Sequence, residues 1–286
     1  MLGLSRSYFT RRATPLAVPV ASYDFTQGTL PGGITFTRSS EGYYVAGNGN
    51  KTLAAVNAAR FDHAPDTLAP RGVLMESARS NILLWNADFT QPVWTTSAFT
   101  ASTQTTTAPD GTSLSGWDLG DGYIFQDVST TASVTHTVSV WLKANTSCTL
   151  GLRDPGSSSY ANVPISVGTE WQRFTITKSV YSTTRFLLDA RSAGGFGTSG
   201  LVLFIWMPQI EQGTHASSEI ATTGSAGSRA ADVAGLDNHT GVFDVRVTDD
   251  TNAITTLTSE SIAPGWWPSI AASHIRSIKL YNAGSL

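Results

Sequence analysis

Apolar and polar positions alternate with a period of two between Val134 and Lys143. Val134, His136, Val138, Val140 and Leu142 share one phase; Thr135, Thr137, Ser139, Trp141 and Lys143 share the other. That is the pattern of a strand with one face on a core, and it leaves the second phase facing solvent or ligand. Residues 171–177 repeat it, with Phe174 and Ile176 opposed to Trp171, Arg173 and Thr175. In residues 185–191, Phe186, Leu188 and Ala190 face one way and Arg185, Leu187, Asp189 and Arg191 the other, so one side is strongly polar. Residues 201–207 are apolar on both phases, which predicts a strand covered on both sides, beneath a contact between domains.

These runs recur between turn signals at the spacing of a sandwich. The predicted class is therefore all-β: a central antiparallel jelly-roll β-sandwich over 81–213, an extended N-terminal arm over 1–22, and a small β-rich C-terminal domain over 239–286. A β-rich spike segment fills 23–80. A Ser-, Thr- and Ala-rich linker fills 214–238. The only helical composition in the first half is the short Ala-rich stretch 52–60. Gly195-Phe196-Gly197-Thr198-Ser199-Gly200 has the spacing of a dinucleotide fingerprint, but it precedes a strand instead of opening a helix and reads as a loop.

Composition narrows the function. Charged residues make up 14% of the 286, with a net charge of -3, which gives no electrostatic footprint for nucleic acid. The single Cys148 rules out an internal disulfide framework and a multi-thiolate metal site. Residues 1–19 carry Arg6, Arg11 and Arg12 without the continuous apolar core of a signal peptide, and no apolar run approaches a membrane span. The expectation is a soluble protein made in the cytoplasm, whose basic arm becomes ordered against a neighbour. Exposed strand edges predict a homo-oligomer, in the first place a trimer.

The order of pieces in 81–213 resembles the jelly-roll carbohydrate-binding modules appended to polysaccharide-degrading enzymes. It runs through Asn86, Phe89 and Trp94, then Pro109-Asp110-Gly111, Gln126, residues 137–144, residues 169–174, and Gln209-Ile210-Glu211-Gln212-Gly213. Two flanking signatures extend the likeness: Phe36-Thr37-Arg38-Ser39-Ser40 leading to Ala59-Arg60-Phe61-Asp62, and Arg71-Gly72-Val73-Leu74-Met75-Glu76 followed by Arg79-Ser80-Asn81. With the junction Arg229-Ala230-Ala231-Asp232, these look like phage and prophage structural proteins of the head-spike-fibre and tail-fibre type, including those of gene transfer agents. The resemblance covers about residues 36–235. It implies a virion protein, made in the bacterial cytoplasm, that touches host surface or capsular polysaccharide and joins other virion proteins through its arm. It also implies a structural calcium held by carboxylates at the two ends of the sandwich, for which Asp88 and Glu211 are the candidates; the alternative is two exposed carboxylates.

Sugars are recognised by aromatic faces together with polar side chains that bond hydroxyls. Gln126, Trp141, Arg185, Asp189 and Arg191 are the candidates for a concave binding face. Trp117, Tyr123 and Tyr160 lie in or beside Gly- and Ser-rich loops and are candidate platforms or subunit contacts. Trp141 and Trp171 also read as tryptophans covering a sheet rim or a seam between domains, as large aromatics usually do. Trp266 and Trp267 form a second platform or an interface. No histidine pair, nucleophile elbow or triad is legible, so the chain reads as a non-enzyme. Two alternatives stay open: a connector or decoration protein without glycan binding, and a depolymerase in which Asp118, Asp121, Asp127 and Asp189 converge.

Overall fold

The computed structural model describes residues 17–157, 161–196 and 200–286. Most of the expected arm, residues 1–16, lies outside them. Seven short strands come first: β1 (Ala21–Asp24), β2 (Ile34–Thr37), β3 (Gly42–Val45), β4 (Lys51–Ala54), β5 (Phe61–His63), β6 (Pro70–Leu74) and β7 (Arg79–Asn81). Eight longer ones follow: β8 (Thr95–Thr107), β9 (Ser113–Ser129), β10 (Thr135–Ala144), β11 (Cys148–Arg153), β12 (Asn162–Val167), β13 (Gln172–Ser179), β14 (Thr183–Asp189) and β15 (Leu201–Gln212). The chain closes with β16 (Gly227–Arg229), β17 (Val233–Leu236), β18 (Gly241–Asp249), β19 (Ile254–Ile262) and β20 (His274–Asn282). The protein is all-β. A three-residue 3-10 turn at Ser192–Gly194 is the only helix among the described residues; the Ala-rich stretch 52–60 begins instead in the β3–β4 hairpin.

Strands β8 to β15 form the jelly-roll sandwich, in the order β12-β11-β14-β9-β15-β10-β13, with β8 on β9. The 17-residue β9 serves both layers. Its first half pairs β15 through Trp117, Asp118 and Leu119, and its second half pairs β14 from Tyr123 to Ser129. Glycines permit the crossing between them: a Cβ on Gly122 would lie 1.6 Å from Ser97 O, and one on Gly120 would lie 2.9 Å from Ala98 O. Between the layers sit Val138, Val140, Leu142, Leu150, Leu188, Leu203 and Ile205, all buried. Each fully buried aliphatic contributes roughly 1.5–3 kcal/mol.

The terminal segments were expected as two units, but strand pairing unites them. β20 lies between β18 on one side and β1 with β6 on the other, and β19 and β5 complete a six-stranded sheet. Tyr23, Phe25, Val73, Val245, Val247, Ile278 and Leu280 share its core. The last residues of the expected arm, Ala21 and Ser22, belong to β1. The expected linker is also ordered: β16 pairs β7, β17 pairs β2, and Ser217, Glu219, Ile220 and Thr222 are buried. Small side chains there fill a narrow seam, which from sequence reads as looseness.

A buried ionic clasp joins these parts. Asp232 receives Arg38 Nη1 at 3.1 Å and the Arg60 guanidinium, while Arg60 Nη1 reaches Glu76 at 2.6 Å. Arg229 Nη2 stands 3.6 Å from the same Glu76 carboxylate. Arg38, Arg60 and Arg229 are all but inaccessible. Burial pushes the Glu76 pKa up, but Arg229 and Arg60 outweigh it and hold it below the ordinary value.

Candidate functional site

The outward side of β9 and β14 carries the polar phase of residues 185–191. Cross-strand partners point to the same face, so Asp189 lies beside Tyr123, Leu187 beside Phe125 and Arg185 beside Asp127. Arg185 Nε and Nη2 grip the two Asp127 carboxylate oxygens at 2.6 Å each, and the guanidinium lies 3.7 Å from the Phe125 ring centroid. One step along, Arg191 Nε and Nη2 grip Asp189 at 2.8 and 2.9 Å, and its guanidinium lies 4.8 Å from the Tyr123 centroid. Asn162 Nδ2 donates to Asp189 at 2.9 Å. The result is two arginines, each fixed by a bidentate carboxylate below and an aromatic ring alongside. Burial raises the Asp189 pKa, but the Arg191 hydrogen bonds and charge outweigh it and hold it below the usual range. Arg191 is pushed upward, chiefly by its bond to Asp189. The Asp189–Arg191 pair therefore stays ionised across the neutral range.

Beside this face a groove of about 480 Å³ opens, lined by Val93, Thr95, Phe125 and Asp127. Phe125 and Asp127 thus belong both to this groove and to the surroundings of the Arg185 guanidinium.

Three of the sequence candidates, Tyr123, Arg185 and Arg191, thus share one surface, with the buried Asp189 beneath Arg191. The others do not join it. Trp141 lies on the opposite layer, where its Nε1 donates to Glu219 Oε1 at 2.7 Å and the Lys51 ammonium sits 5.3 Å from its ring. The supposedly wet face of β10 is closed, because Arg173 Nη2 bonds Ser139 Oγ and Ser217 O across it. Trp171 donates to Thr107 O at 2.8 Å and packs against the cluster of Ala108, Trp206 and Met207, so it belongs to the seam. The doubly apolar β15 is covered on both sides there, as its pattern predicts.

Gln126 is buried and clamps Leu84, donating to its carbonyl and accepting from its N–H. Trp117 leans on the sandwich core, stacked on Phe99 at 6.1 Å. Both Trp117 and Tyr123 lie within β9, not in loops; Gly120 and Gly122 serve close backbone approach, and Gly116 makes room for Val202 and Phe204. Trp266 and Trp267 pack against the terminal core, Trp267 edge-on to Phe25 at 5.8 Å, and form no platform. One core can take both because it spans the terminal sheet as well as β2 and β17. Tyr160 lies outside the described residues.

The proposed calcium pair is not assembled. Asp88 accepts from Thr90 and Gln91 in its own turn, whereas Glu211 is buried and accepts from Ser217 N and Oγ. Among the described residues no group of three metal-ligating side chains occurs. Of the four aspartates considered as a glycosidase pair, Asp127 and Asp189 are held by arginines and Asp121 by Ser192. Sequence reading missed Phe125 and Asn162. Phe125 was within reach, since Tyr123, Phe125 and Asp127 alternate with Ile124 and Gln126.

No family model matches the chain, and no curated protein matches it. Solved structures resemble parts of it. One, described as "CBM4 structure and function", is 14% identical over 49% of this chain and 97% of its own, with a TM-score of 0.32. The enzymatically active domain of bacteriophage CBA120 tailspike protein 4 is 14% identical over 46% of this chain and 21% of its own, with a TM-score of 0.33. The CBM22-1–GH10 modules of a Clostridium thermocellum endo-1,4-β-D-xylanase, complexed with xylohexaose, are 10% identical over 50% and 29%, with a TM-score of 0.30.

Proposed function

We propose that this chain is a non-enzymatic structural subunit of a phage-like particle that holds host surface or capsular polysaccharide on the outer face of β9 and β14. The observation that carries this reading is the pair of arginines fixed over Phe125 and Tyr123 by Asp127 and Asp189. Their ordering cost is met before a ligand arrives, so hydroxyls meet prealigned donors. The particle assignment rests on the resemblance of residues 36–40, 59–62, 71–81 and 229–232 to spike and fibre proteins. Those segments supply the arginines and carboxylates of the clasp, a rigid base for a sandwich held out from a particle. In this reading the basic arm docks on other virion proteins, and weak sites gain avidity around a homo-oligomer, in the first place a trimer.

The test is affinity electrophoresis of the purified chain through gels containing bacterial capsular polysaccharides, with reducing ends assayed in parallel. Retardation without new reducing ends is expected. New reducing ends would make the chain a depolymerase.

A second reading, a connector that binds no glycan, draws on Trp141, Trp171, Trp266 and Trp267, which all serve internal packing. It predicts no retardation on any polysaccharide and failure of particle assembly when the chain is deleted.

A further inference from the structure

Tyr181 lies in the turn between β13 and β14. At 50% it is the one exposed aromatic side chain among the described residues. The other candidate rings are used within the molecule: guanidinium groups lie over Phe125 and Tyr123, and Trp141, Trp171, Trp266 and Trp267 pack inside.

The exposure is fixed by the neighbours. Val180 is buried; its N–H donates to Val134 O at 3.1 Å, and its carbonyl accepts from Ser133 N at 2.8 Å. On the other side Thr130 N donates to Ser182 O at 2.9 Å, and Thr130 Oγ1 donates to the Tyr181 carbonyl. The β13–β14 turn is thus braced against the β9–β10 turn, and the Tyr181 ring stays outside it. A tyrosine held in this way offers a large amphipathic surface at a low ordering cost.

Its position ties it to the arginine face. Tyr181 lines a pocket of about 190 Å³ together with Thr183, Arg185 and Asp127. Thr183 lies two residues before Arg185 on the same phase of β14, and it pairs with Ser129 as Arg185 pairs with Asp127. Asp127 gives one oxygen to Arg185 Nε and the other to Nη2. A carboxylate has about four acceptor sites, so both oxygens can still take a hydroxyl. An exposed ring with hydroxyl-bonding groups beside it suits a sugar that lies flat on the ring and points its hydroxyls sideways. An axial hydroxyl would be pressed onto the ring and would lose its water without gaining a full hydrogen bond. The fit therefore selects pyranoses whose ring hydroxyls are all equatorial.

We propose that Tyr181 is the aromatic platform of the polysaccharide site, taking a β-linked pyranose of the gluco configuration, with Thr183 and the Asp127–Arg185 pair bonding its equatorial hydroxyls. This rests on the reading that the β9–β14 face holds polysaccharide, and it adds the stacking residue and the sugar class. The probe is cellopentaose, compared with an inulin-type fructofuranose pentamer, and the readout is backbone amide shifts over a titration of the full chain. Cellopentaose is expected to shift Asp127, Tyr181 and Thr183, and the fructofuranose pentamer to leave them in place. Tyr181→Ala, at an exposed position, should weaken binding about tenfold, the scale of a lost aromatic contact. Tyr181→Phe keeps the ring and should restore most of the binding. The inference is overturned by absence of these shifts, by an equal response to the fructofuranose pentamer, or by unchanged binding in Tyr181→Ala. Loss of binding in Arg185→Ala/Arg191→Ala with Tyr181→Ala unaffected would keep the arginine face and remove the platform. Loss in Tyr181→Ala with the double variant unaffected would keep the platform and contradict the arginine face.

Discussion

Trp141 Nε1 donates a 2.7 Å hydrogen bond to Glu219 Oε1, across 78 positions of sequence. The bond turns a tryptophan that reads as a ligand platform into the lid of a buried charge. Glu219 also meets Lys51 Nζ at 3.1 Å and Arg173 Nη1 at 3.5 Å. Glu219, from the segment 214–222, is thereby sealed against β10.

Glu219→Ala should therefore destabilise the fold by about 3–5 kcal/mol, because Lys51 and Arg173 lose their buried partner. A lowered urea midpoint checks this. Polysaccharide retardation under native conditions should not change, since the Arg185–Arg191 face is untouched.

Acid should weaken the protein in a defined window. Burial pushes the Glu219 pKa up, but Lys51, Arg173 and Trp141 outweigh it and hold it at about 2, against an ordinary value of 4.5. Between those values the unfolded chain takes up the proton and the folded chain does not, so this contribution is intact above 4.5 and is lost as pH falls toward 2. Glu76 and Asp62, also lowered, act in the same direction. Glu211, raised by burial, acts in the opposite one. Melting temperature measured from pH 7 to pH 2 should fall below pH 4.5, and less steeply in Glu219→Gln.

The clasp predicts strong coupling between distant segments. Asp232→Asn leaves Arg38 and Arg60 without their shared carboxylate and should cost about 3–5 kcal/mol, the scale for an uncompensated buried charge. The denaturation midpoint reads the loss.

Close approach of β8 to β9 predicts a contrast between two glycines. Gly122→Ala places a carbon 1.6 Å from Ser97 O and must separate the strands, whereas Gly168→Ala meets nothing within 4 Å. Thermal denaturation should show the first variant destabilised by about 2 kcal/mol or more and the second near wild type.

Periodicity exposed the strands and the polar phase of β14 because a half-buried strand writes its two faces at alternate positions. It could not say what covers the second face. The polar phase of β10 looks like that of β14, yet the first is closed by residues distant in sequence, whereas the second keeps Arg185 partly exposed above the buried Leu187 and Asp189. Composition misled where small residues pack tightly, as in 214–222, and where glycines allow backbone contact, as around Tyr123. The segments that carry the family resemblance proved structural. Asn81 and Asn86 each donate to both Pro208 O and Ile220 O, pinning the start of the sandwich to its last strand and to the segment that follows it.

The measurement that bears most directly on the central claim is retardation of wild-type chain and of Arg185→Ala/Arg191→Ala in the same capsular polysaccharide gels. Loss of retardation in the variant, with its melting temperature preserved, is the predicted result. Equal retardation of the two chains would contradict the assignment of the binding face to β9 and β14.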